Sequence, residues 1–236
     1  MPYRKEQFET GYIYHITLKG LDSSIFKDLN DYYRGIFSIY EFNNSGSVTI
    51  QKRRETRTRF KEGRGRTSTF IDERDKLVEV LCFCFMPNHI HLLVRQLKDN
   101  GITEFMRKIG TGYGGYFNRK YNRQGHVFQN RFNAVHIENE EQLKIVFAYI
   151  YTNPLSLIYP EWKEIRIENL DKAAKFLENY KWSSYLDCIG IKNFPSVTER
   201  EFIVELIGGE QKCKDFIKYW IEYKGESKEY SNLFLE

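Results

Sequence analysis

The chain has 236 residues, a net charge of +4 and a 16% share of aromatic residues, with 17 Tyr and 18 Phe. That length suits one large domain or one domain with an appendage, and the aromatics supply a core despite the negative mean hydropathy. No apolar run approaches the roughly 20 residues of a membrane span. The start, Met1-Pro2-Tyr3-Arg4-Lys5, lacks an apolar secretory stretch, and Cys82, Cys84, Cys188 and Cys213 form neither a CxxC pair nor a disulfide-like framework. The expectation is a cytoplasmic protein without membrane contact.

Tyr12-Ile13-Tyr14-His15-Ile16-Thr17-Leu18 reads as a first strand, closed by Gly20. Residues 22–42 read as a helix with Asp22 or Ser23 as its cap. Asn43-Asn44-Ser45-Gly46 is a turn that opens a basic insertion over residues 43–73. Between Lys52 and Arg66 stand eight Lys or Arg against two Glu, a net +6 that exceeds the whole-chain +4 and leaves the remainder at −2. A patch of this kind suits a polyanion.

Residues 77–85 and 89–95 are apolar, β-branched and aromatic runs separated by Met86-Pro87-Asn88, and read as an antiparallel hairpin. Residues 103–122 read as a helix despite Gly110, Gly112, Gly114 and Gly115, for which close backbone packing is the expected reason. These glycines do not form a phosphate loop, since no Lys-Ser/Thr follows and no strand leads in. Residues 125–137 read as extended, and residues 139–152 as a helix with Glu138, Glu140 and Glu141 at its positive end, ended by Asn153-Pro154. Helices are expected at 170–180 and 199–224. The mixed order of elements argues an α+β fold with an antiparallel sheet and a helical tail.

The chemistry concentrates in Phe85-Met86-Pro87-Asn88-His89-Ile90-His91-Leu92-Leu93-Val94. Strand side chains alternate, so His89 and His91 share one face while Ile90, Leu92 and Val94 fill the other. Two adjacent imidazoles make half of a metal site. Tyr149 and Asn153 stand four apart on a predicted helix and share its face. If that face meets the histidines, the Asn153 amide oxygen completes an open site and the Tyr149 hydroxyl lies beside it. Mg²⁺ or Mn²⁺ suits such a site for phosphate chemistry, with imidazole leaning toward Zn²⁺. Cys82 and Cys84 offer a different set, a structural zinc with the same histidines. His15, His126 and His136 have no evident partner and read as structural.

Taken in order, Tyr14-His15-Ile16, Met86-Pro87-Asn88-His89-Ile90-His91-Leu92-Leu93, Tyr116-Phe117-Asn118-Arg119, Gly125-His126-Val127-Phe128-Gln129-Asn130-Arg131-Phe132, Tyr149-Ile150-Tyr151-Thr152-Asn153-Pro154 and Trp182-Ser183-Ser184-Tyr185 resemble the HUH single-tyrosine transposases. The nearest likeness is to the REP-associated tyrosine transposases, over about residues 8–186.

The resemblance implies a ferredoxin-like antiparallel sheet with packed helices, occupying residues 1–160, with residues 161–236 as a mainly helical extension. It implies Tyr149 as nucleophile, His89, His91 and Asn153 as ligands of Mg²⁺ or Mn²⁺, and a single-stranded DNA hairpin as substrate. The DNA would be cut and rejoined through a 5′-phosphotyrosine by a monomer or homodimer. Candidate DNA contacts are Arg53, Arg54, Arg57 and Arg59 in the insertion, with Arg119, Lys120 and Arg131 from the later motifs. The alternative is a non-catalytic, domesticated protein that binds single-stranded nucleic acid.

Overall fold

Alternation along three apolar segments builds the centre of the molecule. The computed structural model describes residues 7–48, 72, 74–129, 132–162, 167–223 and 234. Strands β1 (Ile13–Lys19), β2 (Val78–Met86), β3 (His89–Gln96) and β4 (Asn133–Ile137) form one antiparallel sheet in the order β2-β3-β1-β4. Helix α1 (Leu29–Phe42) joins β1 to β2, and α2 (Gly101–Lys120) joins β3 to β4. This βαββαβ order with β1 and β3 central is the ferredoxin-like arrangement, and it agrees with the α+β fold expected from the sequence.

The two faces of the sheet carry different cores. Tyr14, Ile16, Leu18, Ile90, Leu92 and Val94 pack with α1 and α2. The opposite face, carrying Leu93, Cys82 and Cys84, packs with α3 (Glu140–Thr152). That second core extends into α4 (Leu170–Asn179), α5 (Tyr185–Cys188), α6 (Glu201–Ile207) and α7 (Glu210–Tyr223), through Leu177, Tyr185, Ile203 and Ile217. The outer edge of β2 is covered: Phe85 N–H donates to the Trp182 carbonyl at 2.8 Å and Ser184 N–H to that of Phe83 at 3.0 Å. Covering removes the unpaired backbone groups that an edge strand otherwise offers to other chains.

Several boundaries differ from those read in the sequence. Helix α1 starts at Leu29, not near residue 22, because its cap is Asp28, not Asp22 or Ser23. The Asp28 carboxylate accepts from Asp31 N–H, and Asp31 accepts back from Asp28 N–H, closing a reciprocal capping box. The expected helix over 199–224 is two helices, because Gly208 and Gly209 take left-handed φ of 103° and 108°. Glycine meets no Cβ penalty there, so the pair ends α6 and re-aims the chain.

Of Gly110, Gly112, Gly114 and Gly115 in α2, only Gly112 answers to close packing. A Cβ there would stand 2.1 Å from Phe42 Cζ, whereas one at Gly110 would meet nothing within 4 Å. The extended stretch at 125–137 is regular only in β4; before it, Leu21 N–H donates to the Val127 carbonyl and Gln129 N–H to that of Lys19.

Candidate active site

The histidine pair sits where the β2–β3 hairpin turns. Pro87 and Asn88 make the turn, and the Pro87 carbonyl accepts from the N–H groups of Ile25 and Phe26 at 2.8 and 3.2 Å. The end of β1 comes close: Gly20 N–H donates to the Asn88 carbonyl at 2.7 Å, and a Cβ on Gly20 would crowd that oxygen at 3.0 Å. His89 and His91 then open β3, and strand alternation turns both toward α3.

Their rings meet edge to face, with centroids 4.7 Å apart, and the two Nε2 atoms stand 3.0 Å apart. His91 is fully buried and His89 half-buried. The other nitrogen of each ring is also engaged. His89 Nδ1 lies 2.7 Å from Asn88 Oδ1, and His91 Nδ1 lies 3.1 Å from both His15 Nε2 and Thr17 Oγ1.

Helix α3 brings the tyrosine. Asn139 caps it by accepting from Gln142 N–H at 2.9 Å, and Glu140 and Glu141 stand in its first turn, where the helix dipole favours anions. Tyr149 meets His91 edge to face at 5.5 Å and His15 at 5.8 Å between centroids, while Phe234 stacks on it at 4.4 Å. Tyr149 is 3% exposed. Burial pushes its phenol well above the usual tyrosine range, and a side-chain hydrogen bond with Asn153 opposes that shift only in part, so the hydroxyl keeps its proton at neutral pH. Asn153 is buried at the end of α3, where the chain tightens into a 3₁₀ turn (Asn153–Leu157) at Pro154. The structure therefore gathers His89, His91, Tyr149 and Asn153, and adds His15 and Thr17.

The residues fit a divalent ion. Two ligands at right angles on bonds of about 2.1 Å stand about 3 Å apart, the separation of the two Nε2 atoms. The thiol alternative fits less well: Cys82 and Cys84 are fully buried, and burial drives both thiols well above their usual range, away from the thiolate a metal needs. Among the described residues no three His, Cys, Asp or Glu side chains converge on one point.

Arg53, Arg54, Arg57, Arg59 and Arg131 fall outside the described residues. The flanks of the insertion are held together, since Ser45 N–H donates to the Asp75 carbonyl at 2.8 Å. They lie near the start of β2, which pairs with the end of β3, so the insertion departs from the end of the sheet opposite His89. Arg119 and Lys120 belong to α2, on the other face from α3. Arg119 is exposed, while Lys120 Nζ bridges Asp28 and Asp31 at 2.7 Å each.

His15 and Thr17 were not legible as site residues. The signal that finds them is the β1–β3 register, which pairs Thr17 with His91.

The helix-flanked antiparallel sheet thus turns a His-x-His strand toward a helical tyrosine. Residues 47–153 match the family model for IS200-like transposases, a stretch that holds His89, His91 and Tyr149 and ends on Asn153. Over that stretch the chain is similar to the IS200-like transposases, in keeping with the resemblance to HUH single-tyrosine transposases. No curated protein matches the chain. Among solved structures it is similar to a REP-associated tyrosine transposase bound to a REP hairpin, at 14% identity over 83% of this chain and 90% of that one, with a TM-score of 0.45. It is also similar to tRNA(His) guanylyltransferase from Saccharomyces cerevisiae, at 9% identity over 94% and 84% of the two chains, with a TM-score of 0.33. No described helix is long and apolar enough to cross a membrane.

Proposed function

We propose that the protein cuts and rejoins single-stranded DNA beside a hairpin, through a 5′-phosphotyrosine on Tyr149. The observation that carries this reading is the edge-to-face approach of Tyr149 to His91, whose Nε2 converges with that of His89. In this reading residues 1–160 form the nuclease domain and residues 161–236 an extension, whose described helices α4 to α7 pack with α3.

Tyr149 Oη attacks phosphorus, a tyrosyl O–P bond forms, and the bond from phosphorus to the 3′ oxygen breaks. The phenol gives up its proton and the departing 3′ oxygen takes one, so the step is proton-neutral overall. Because burial keeps the phenol protonated and covered, DNA binding has to uncover it before it reacts. Asn153, bonded to the phenol side chain, orients it. His89, His91 and Asn153 would hold Mg²⁺ or Mn²⁺, which would supply Lewis acidity to the phosphate. The phosphotyrosine conserves the bond energy, so a 3′-hydroxyl reverses the step without nucleotide hydrolysis. The basic insertion, leaving the far end of the sheet, suits the backbone of the hairpin stem.

Incubating the protein with a labelled oligonucleotide, a hairpin flanked by single strands, tests the reading. An adduct that survives denaturation, and needs Mg²⁺ or Mn²⁺, is the expected result. Binding with no adduct under any ion identifies a non-catalytic binding protein instead.

A further inference from the structure

We infer that His15 and Thr17 are positioning residues that hold His91 in place and stabilise its Nδ1–H tautomer when an ion takes its Nε2, so that this nitrogen can serve as a ligand. The inference rests on the reading above. It concerns residues outside the stretch matched by the family model, which begins at residue 47.

The strand register brings the three side chains together. Thr17 is the direct partner of His91 across β1 and β3, and His15 is the partner of Leu93 one step along the same face. All three side chains are within 1% of full burial. His91 Nδ1 sits 3.1 Å from Thr17 Oγ1 and 3.1 Å from His15 Nε2, and the two imidazoles stack at 5.2 Å with planes 27° apart.

A neutral imidazole carries one ring proton, so a His91 whose Nε2 offers a lone pair must hold its proton on Nδ1. That proton needs an acceptor in a site closed to water. Thr17 Oγ1 and His15 Nε2 both stand at hydrogen-bond distance from Nδ1. On the neighbouring ring Asn88 does the same work, since its Oδ1, at 2.7 Å from His89 Nδ1, accepts a proton there and leaves His89 Nε2 bare. Such outer partners commonly orient histidine ligands.

The ion-free arrangement asks for more than an acceptor. Two bare Nε2 atoms repel at 3.0 Å, so without an ion one proton lies between them. With Nδ1 of His89 donating to Asn88, that proton belongs to His91 Nε2. Ion binding then shifts the His91 proton from Nε2 to Nδ1, with the ring neutral throughout. The group facing Nδ1 must donate in the first state and accept in the second. A hydroxyl does both, and so does a neutral imidazole. Lysine or arginine in that place could only donate, and valine could do neither. Thr17 and His15 are thus chemically matched to the exchange.

The test uses the full chain, with Mn²⁺ affinity from electron paramagnetic resonance and ring tautomers from long-range ¹H–¹⁵N spectra with and without Mg²⁺. In the wild type, His91 moves from the Nε2–H to the Nδ1–H form when Mg²⁺ binds. Thr17→Val and His15→Phe each weaken Mn²⁺ by roughly tenfold and the double variant by about a hundredfold, while Thr17→Ser binds as the wild type. If His15→Phe fails to fold, the contrast between Thr17→Val and Thr17→Ser decides.

Wild-type Mn²⁺ affinity in the double variant, combined with loss of affinity in His89→Ala, overturns the positioning roles and leaves the proposed function standing. Equal Mn²⁺ affinity in wild type and His89→Ala, or none in the wild type, overturns the proposed function and this inference with it.

Discussion

Tyr149 stands edge-on to His91, with ring centroids 5.5 Å apart and planes at 83°. One residue comes from a helix near the middle of the chain and the other from the strand of a hairpin 58 positions earlier. They meet because both β3 alternation and the α3 face point into the same core. The arrangement commits the tyrosine helix to the histidine side of the sheet, within one chain.

Ion dependence follows from that arrangement. His89→Ala removes one of two converging nitrogens. It is expected to abolish adduct formation while hairpin binding in chelator persists, because phosphate contacts made by basic side chains need no resident ion. Chelation of the wild type should have the same effect, reversed by adding Mg²⁺ or Mn²⁺. Adduct yield on denaturing gels, beside a binding titration, checks both; an unchanged yield in His89→Ala contradicts the ligand role.

The fold depends on a buried carboxylate far from the tyrosine. Asp31 receives Lys120 Nζ at 2.7 Å, the hydroxyls of Tyr116 and Tyr121 at 2.9 and 2.6 Å, and Lys27 N–H at 2.9 Å. Asp31→Asn weakens the hydrogen bonds from Lys120, Tyr116 and Tyr121 at a buried position, while Lys120 keeps Asp28, and is expected to cost about 1–3 kcal/mol at neutral pH. Denaturant midpoints measure it.

The same residue makes a pH prediction. Burial raises the Asp31 pKa, but the hydrogen bonds from Lys120 and Tyr121 outweigh it and hold the carboxyl below its ordinary 3.8. A depressed folded value means that the stabilisation is complete above 3.8 and is lost as pH falls through the folded value. The melting temperature of the wild type should therefore fall toward that of Asp31→Asn below this pH. Parallel melting curves down to the acid limit would contradict the assignment.

Two glycines of α2 should respond in opposite directions. Gly112→Ala forces a methyl against Phe42 and is expected to destabilise by about 1–3 kcal/mol. Gly110→Ala meets open space and gains helix propensity, stabilising by up to about 1 kcal/mol. Paired thermal melts decide; a stabilising Gly112→Ala would show that Phe42 yields readily.

How much of this could be read from residues alone depends on the range over which each relation acts. The shared face of His89 and His91 is a period of two, and that of Tyr149 and Asn153 a period of four, so both were visible locally. So was the α+β order of elements. The capping box of Asp28 and Asp31 was available but competed with Asp22 and Ser23, equally good caps by type. The break at Gly208-Gly209 was written as a dipeptide, yet the apolar periodicity on either side concealed it. His15 had no local signal, because its relation to His91 exists only once β1 and β3 are paired in register. The destination of Lys120 was hidden likewise: a lysine beside an aromatic motif reads as a DNA contact, and only packing of α1 on α2 delivers it to Asp28 and Asp31.

The central claim is that one phenol, Tyr149, takes the DNA phosphate. The most direct measurement is peptide mass spectrometry of the denatured protein after reaction with a hairpin substrate and Mn²⁺, followed by nuclease trimming. The account predicts a nucleotide phosphodiester on the peptide containing Tyr149, fragmenting to that residue, and absent from Tyr149→Phe protein of wild-type melting temperature. A nucleotide found instead on Tyr151, Tyr113 or Tyr116, or an undiminished adduct in Tyr149→Phe, would contradict it.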